Sequence, residues 1–421
     1  MTPEDVKRLN YIYYTSFTHF VKQPHSIFYC YVMFFVALLH SVLFRRSLKK
    51  PSAPVLVYAT TVNNIRAVQT ILDNLKSEYV LWGHSNKNFP LSRIYLKSAM
   101  HLGLFQKFYS SSTKEEKSLI RTFYTSFMTT YGYYKVMGEI LDKYPQIKVI
   151  LFSNDHSTAN RCMIELAEKR KIKTVYVQHA SVTEKFPPLH FSFSFLDGMD
   201  SYNKYCKIGD LRGNVVLSGS PRFDIVAQYV NTPKKYDVGI ALNLADNIEL
   251  VFELCKYIQE HYSRNIVVRP HPRMDLDFSL FEKNGFVISN PVEESSFSFL
   301  SKIKVLVANE SSIHLDAALT ETPSLLYNFS ENEIMDWYSF LKNKLMPKCE
   351  NQEEVVSYLQ QPHVINKDAV RFYVASYKMP WDGKVGLLVA SLIDSITSNT
   401  DSIWVMKNVD KIINNNEIIR Q

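Results

Sequence analysis

Two short stretches decide how this chain folds: Asn265-Ile-Val-Val-Arg-Pro-His-Pro272 and Val305-Leu-Val-Ala-Asn-Glu-Ser-Ser312. Each is a β-branched, apolar run that ends abruptly in polar residues. Such a run reads as a parallel strand, buried on both faces, delivering its carboxyl end to a site. Residues 265–268 form one predicted strand, with Arg269, His271, Pro272 and Arg273 on the loop after it; 305–308 form another. Ser311 and Ser312 open a predicted helix over 313–319, whose free N–H groups and positive dipole end suit an anion. In open α/β sheets, ligands bind beyond the carboxyl ends of the strands, near the point where strand order reverses. A cationic loop and a hydroxyl-bearing helix start on adjacent strands therefore predict a phosphate pocket. Taken singly, Ser311 could be a plain helix cap and His271-Pro272 an ordinary turn.

Working outward, strands alternate with helices through most of the chain. Before the quoted stretches, strands are predicted at 55–59, 79–83, 148–152, 174–177 and 215–217, with a tyrosine- and phenylalanine-rich helical region over 91–143. Around and after them come 237–242, 286–289 and 324–327. This α/β pattern predicts two doubly wound, Rossmann-like domains, residues 53–225 and 236–382, facing a cleft. Residues 383–421 read as a helix packing back on the first domain, followed by a polar tail.

Residues 1–50 differ. An unbroken apolar and aromatic run over 27–39 extends to Phe44 and is followed by Arg45, Arg46, Lys49 and Lys50. A bilayer span needs ~20 residues, so this segment is borderline. No small-residue cleavage site follows it, which excludes a cleavable signal. The basic cluster would lie on the cytoplasmic side. The expectation is a helical, membrane-associated appendage, either spanning or lying in the interface, with a helix docked on the first domain as the alternative.

Composition narrows the function. The 421 residues are 46% hydrophobic, enough for sizeable cores, yet only 12 are glycine. Neither GxGxxG nor GxxxxGK[ST] occurs, so side chains and helix ends must hold any phosphate. The net charge of +7 is scattered, which argues against nucleic acid and for an anionic substrate and a membrane surface. Five cysteines without a CxxC pair fit a reducing compartment. No Asp-x-Asp sits at a strand end (Asp275-Leu-Asp277 is a loop or helix start), so neither metal nor cofactor is expected.

On these motifs, over about residues 145–330, the chain resembles bacterial surface-polysaccharide transferases of the GT-B class. It looks like two related groups, the sialyl- and polysialyltransferases and the CDP-glycerol glycerophosphotransferases. His271-Pro272 matches their shared His-Pro element, and Ser311-Ser-Ile-His-Leu-Asp316 their Ser-Ser element. Val177-Gln-His-Ala180 looks like the Val-Gln-His-Gly of capsule transferases, with Ala180 in place of glycine. The acidic pair followed by glycine, which supplies the sialyltransferase base, has no counterpart early in the first domain; Asp197-Gly198 follows a leucine and lies late. The resemblance implies an acceptor-binding first domain, a donor-binding second domain and a CMP-linked sugar donor. It also implies a glycan or lipid-linked acceptor and a place on the cytoplasmic face of the bacterial inner membrane. A glycerophosphotransferase and a non-catalytic assembly protein on the same scaffold are the alternatives.

Transfer from such a donor requires that the leaving phosphate's charge be stabilised and that the acceptor hydroxyl lose a proton. Arg269, His271, Pro272, Ser311 and Ser312 serve the first need. Asp155, then His179, then His156 are the candidate bases at first-domain strand ends. Asp155 could instead cap the helix starting at Thr158, His179 could make a structural hydrogen bond, and His156 could lie on a surface turn. Glu293 and Glu294 could accept ribose hydroxyls or could simply open a helix.

Overall fold

Strands form where β-branched and aromatic residues run unbroken, because such side chains pack well on a pleated surface covered on both sides. The computed structural model describes residues 1–18, 21, 23–44, 50–83, 89–330, 333–398 and the backbone of 418–419. The chain forms two compact units, Met1–Arg222 with Met379–Gln421, and Phe223–Lys378.

In the first unit, Val55–Tyr58 (β1), Tyr79–Trp82 (β2), Val149–Phe152 (β3), Lys173–Val177 (β4), His190–Leu196 (β5) and Arg212–Leu217 (β6) are parallel. Their order is β2-β1-β3-β4-β5-β6, with Ile418–Ile419 added antiparallel to β6. The order reverses between β1 and β3. Val55 and Val57 pack with Val68, Ile71, Leu388 and Val389, so the helices Val62–Asn74 and Val385–Thr397 cover one face. The alternate residue Tyr58 packs on Trp82, Phe89 and Phe152. Each such buried aliphatic side chain contributes roughly 1.5–3 kcal/mol. The β5 strand escapes a search for apolar runs because its phenylalanines alternate with serines, of which Ser194 is fully buried. At Gly213 (φ 76°) a Cβ would lie 2.0 Å from the Phe191 carbonyl oxygen, where the β5–β6 register shifts.

The helix Ile27–Leu43 belongs to the first unit and is capped by Ser26. Cys30 and Phe34 bury one side against Phe105, Phe108, Phe127 and Met128. Phe28, Val32, Phe35, Val36, Leu39 and Leu43 are exposed on the other. Among the described residues, no helix is long and apolar enough to cross a membrane. Arg45, Arg46 and Lys49 lie outside the described residues.

In the second unit, Tyr236–Ala241 (β7), Ile266–Arg269 (β8), Val287–Ile288 (β9), Ile303–Ala308 (β10), Ser324–Tyr327 (β11) and Lys348–Cys349 (β12) are all parallel. Their order is β9-β8-β7-β10-β11-β12, reversing between β7 and β10. Val238 and Ile240 meet Val251, Leu254 and Val355 on one face, while Ala241 and Leu306 meet Phe299 and Ala317 on the other. The two quoted stretches are thus the strands β8 and β10 with the loops that follow them.

Candidate functional site

In the first unit, β3 ends at the strand-order reversal, and the residues after it are tightly tied. The Asn154 side chain accepts from the backbone N–H groups of His156 (3.0 Å) and Ser157 (3.2 Å), and Ser157 caps the helix Thr158–Lys169. The cap is therefore Ser157, which leaves Asp155 for another role. Asp155 is fully buried. Its Oδ1 lies 3.0 Å from His156 Nδ1, and its Oδ2 accepts from the Tyr205 hydroxyl at 2.6 Å. Tyr205 in turn lies 3.3 Å from the Tyr176 hydroxyl. Burial pushes the Asp155 carboxyl up, but hydrogen bonds from His156 and Tyr205 outweigh it and hold the group below its ordinary value. Asp155 is expected as the base; here its carboxylate is enclosed, with its two oxygens taken by His156 and Tyr205.

A carboxylate at His156 Nδ1 places the ring proton there and leaves the lone pair on Nε2, which lies 3.4 Å from the Asn154 amide nitrogen. The ring packs against Phe186 (4.9 Å between centroids) and stacks near His179 (6.4 Å, 26°). His179 follows β4, the neighbouring strand. Burial, reinforced by His156, pushes its pKa down to about 4, so it is neutral at neutral pH. Its Nδ1 is buried and, among the described residues, has no hydrogen-bond partner.

One strand further, at the end of β5, stands Asp197, only 5% exposed. Burial raises its pKa to about 6 against the pull of Arg222, whose Nη2 lies 3.8 Å away, and of Ser220; among the described residues its Oδ1 has no hydrogen-bond partner. Gln178 ties the two loops: its Oε1 accepts from the Asp197 N–H (3.0 Å) and its Nε2 donates to the Ala180 carbonyl (3.0 Å). His156, His179 and Asp197 thus occupy the carboxyl ends of three neighbouring strands. Sequence reading reached the histidines but passed over Asp197, because β5 was not recognised as a strand that delivers it.

In the second unit the predicted phosphate ligands share one edge of the sheet, but not adjacent strands. The β7 strand pairs with both β8 and β10 and separates them. Strands lie roughly 4.8 Å apart, so the His271 loop and the Ser311–Ser312 turn start from strands about 10 Å apart. The correction follows from strand order, which local sequence does not encode. His271 is partly exposed, and its Nδ1 accepts from the Arg273 N–H at 3.2 Å, which leaves Nε2–H as a donor. Burial, with Arg273, lowers its pKa from the ordinary value, which favours the neutral imidazole. Pro272, beside it, is exposed. Ser312 stands at the start of the helix Ile313–Leu319 without making a capping bond, and Ser311 Oγ accepts from the Ile313 N–H at 3.4 Å.

Arg269 is committed elsewhere. Buried, it donates to Ser289 Oγ (2.9 Å) and the Glu294 carbonyl (2.8 Å) and lies over the Phe299 ring. Glu294 accepts from Ser289 (2.7 Å), Ser298 (3.1 Å) and Lys302 (2.5 Å). Arg269 thus binds Ser289 and the Glu294 backbone, because a buried guanidinium must satisfy its donors within the fold, and the Glu294 carboxylate is held by Ser289, Ser298 and Lys302. Glu293 beside them is exposed. At the β7–β10 reversal a further polar set appears: Asn243 donates to the Glu310 carbonyl (2.6 Å) and Asn309 to Asp246 (2.8 Å). Asn309 sits inside the quoted Val-Ala-Asn-Glu-Ser-Ser, directly before Glu310. Among the described residues, no group of three or more His, Cys, Asp or Glu side chains is placed to hold a metal ion.

No family model and no curated protein matches this chain. Solved structures do. The UDP-GlcNAc 2-epimerase from Methanocaldococcus jannaschii superposes with a TM-score of 0.51 at 13% identity, covering 80% of this chain and 98% of that one. Another UDP-N-acetylglucosamine 2-epimerase gives 0.50 at 11% identity, covering 85% and 98%. The fold is of the GT-B type. The wall teichoic acid polymerase TagF matches more loosely, with a TM-score of 0.40 at 12% identity over 65% of this chain and 87% of that one. The fold likeness rests on the two epimerases.

Proposed function

We propose that the chain is an inverting transferase that uses a cytidine-nucleotide-activated sugar, of the CMP-sialic-acid kind, to build a bacterial surface polysaccharide. The observation that carries this reading is the buried Asp155 carboxylate holding His156 Nδ1, so that Nε2 keeps its lone pair at a strand end. In the reaction, the acceptor hydroxyl oxygen forms a bond to the anomeric carbon and its proton passes to His156 Nε2. The bond from that carbon to the phosphate oxygen breaks, and CMP leaves with the electron pair. In the second unit, His271 Nε2–H, Ser311 and Ser312 offer neutral donors suited to a nucleotide phosphate. The likeness of His271-Pro272 and Ser311-Ser312 to motifs that hold CMP supports a cytidine nucleotide as the leaving group.

Nucleotide release tests the reading. The purified chain, given CMP-sialic acid, CDP-glycerol and UDP-sugars in turn with an oligosaccharide acceptor, is expected to release CMP from the first. Release from CDP-glycerol alone would move the assignment to a glycerophosphotransferase, and turnover of UDP-GlcNAc alone to an epimerase. No release from any of them would leave a non-catalytic scaffold. His271→Ala is expected to weaken CMP binding by about tenfold, the size of one lost hydrogen bond to a charged group, with the fold intact. Calorimetric titration of CMP into both proteins checks it.

The exposed stripe Phe28, Val32, Phe35, Val36, Leu39 and Leu43 supports a membrane-surface location, with the helix lying in the interface because its other side is packed on the first unit. The basic residues after it in sequence favour anionic lipid and the cytoplasmic face of the inner membrane, where a glycan or lipid-linked acceptor would be met. The double change Phe35→Glu, Val36→Glu is expected to lower binding to phosphatidylglycerol-containing vesicles by at least about tenfold, since each side chain loses ~1.5–3 kcal/mol of apolar transfer. Co-sedimentation with the vesicles measures it.

A further inference from the structure

A hollow of about 220 Å³ in the first unit lies apart from the strand-end histidines. Three arginines, Arg8, Arg161 and Arg212, line it together with His190, Glu165 and Glu168. Arg8 pairs with Glu165 and with Asp5, and Arg212 lies 3.4 Å from Glu168. Arg161 is different. It is only 7% exposed; among the described residues no carboxylate lies within ion-pairing distance, although the buried Asp155 carboxylate attracts it, and its hydrogen bonds run from Nη1 to the Asp155 and Pro188 carbonyls at 3.5 and 3.4 Å. Both bonds are longer than the usual 2.7–3.2 Å, and a guanidinium carries five N–H donors. A nearly buried cation so poorly compensated is costly unless an anion completes it.

His190 lies in the field of the same arginines. Burial, then Arg212, Arg161 and Arg8 in turn, push its pKa down to about 4. It is therefore neutral at neutral pH and retains a ring N–H to donate.

We infer that this hollow is a second anion site, taking a phosphate dianion or phosphate monoester through Arg161, Arg212, Arg8 and the neutral His190 ring. Planar guanidinium forks match phosphate oxygens in pairs, which a scattering of lysines would not. The bound dianion draws Arg212 from its exposed partner Glu168, a surface pair that itself contributes little. None of the residues lining the hollow has a role in the transferase reading, although Arg161 touches the Asp155 carbonyl.

Isothermal titration of the full chain with inorganic phosphate, and separately with a hexose 1-phosphate, tests it. One saturable site is expected. Arg212→Gln should weaken it by roughly tenfold, as for one charge-assisted contact, and Arg161→Leu should abolish it. Tighter binding of the hexose phosphate would assign a phosphosugar; equal binding would assign free phosphate. Because Arg161→Leu removes a buried side chain and could fail to fold, the double variant Arg8→Gln, Arg212→Gln serves beside it. Wild-type affinity in that double variant overturns the inference. So does loss of the binding on His271→Ala alone, which would place the phosphate on the second unit.

Discussion

Replacing His156 by alanine is expected to lower turnover by roughly 10²–10⁴-fold, the usual contribution of a positioned general base, with the fold unchanged. The more telling variant is Asp155→Asn. The side chain is fully enclosed and nearly isosteric with asparagine, so packing is retained. The Tyr205 hydroxyl can still donate to the amide oxygen, which then turns the amide N–H₂ toward His156 Nδ1. That nitrogen must then accept, the ring proton moves to Nε2, and the lone pair needed for the acceptor hydroxyl disappears. Turnover should therefore fall about as far as in His156→Ala, again roughly 10²–10⁴-fold, while KM for the donor stays near wild type. Steady-state kinetics with circular dichroism on both variants decides it. Wild-type turnover in Asp155→Asn would remove His156 from the role of base and leave His179 or Asp197 in its place.

Acidification is expected to destabilise the second unit well above the range where ordinary carboxylates titrate. His314 is fully buried under the β10 turn, its Nε2 3.1 Å from the Asn309 carbonyl. Burial pushes its pKa from 6.5 to about 4, against the pull of the Asn309 and Ala308 carbonyls. The folded state thus prefers the neutral ring, and between these two values the unfolded chain binds the extra proton. This stabilisation is complete above pH 6.5, shrinks as pH falls, and is gone below about 4. A displacement of that size is worth on the order of 3 kcal/mol. Asp246, whose carboxyl is raised by burial, changes in the opposite direction. It does so in wild type and in His314→Gln alike, so the difference between the two proteins isolates the histidine. Thermal midpoints at pH 7 and 4.5 should converge between wild type and His314→Gln as the pH drops. Parallel behaviour at both pH values would show that His314 titrates normally. His179, lowered for the same reason in the first unit, should add a smaller change of the same sign.

Much of the architecture is legible in local sequence because the cause is local. A run such as Val149–Phe152 or Ile303–Ala308 must be covered on both faces, and that demand is written in consecutive residues. The same holds for Asn154-Asp-His156 and Gln178-His179: polar residues that stop an apolar strand announce a carboxyl end. The run His190–Leu196 was hidden because serines interrupt it, and only pairing with β4 and β6 makes it a buried strand.

The sequence by itself determined that this is a two-sheet, parallel α/β protein whose strands end in histidines, serines and carboxylates. Tertiary structure alone decided which of those ends are neighbours and which side chains remain accessible. It placed β7 between β8 and β10, tied Asp197 to Gln178, enclosed Asp155 beside His156, and bound Arg269 to Ser289 and Glu294. The reason is physical. Strand formation depends on side chains a few residues apart, whereas strand order, burial and the partner that a guanidinium or carboxylate finds depend on residues tens of positions away.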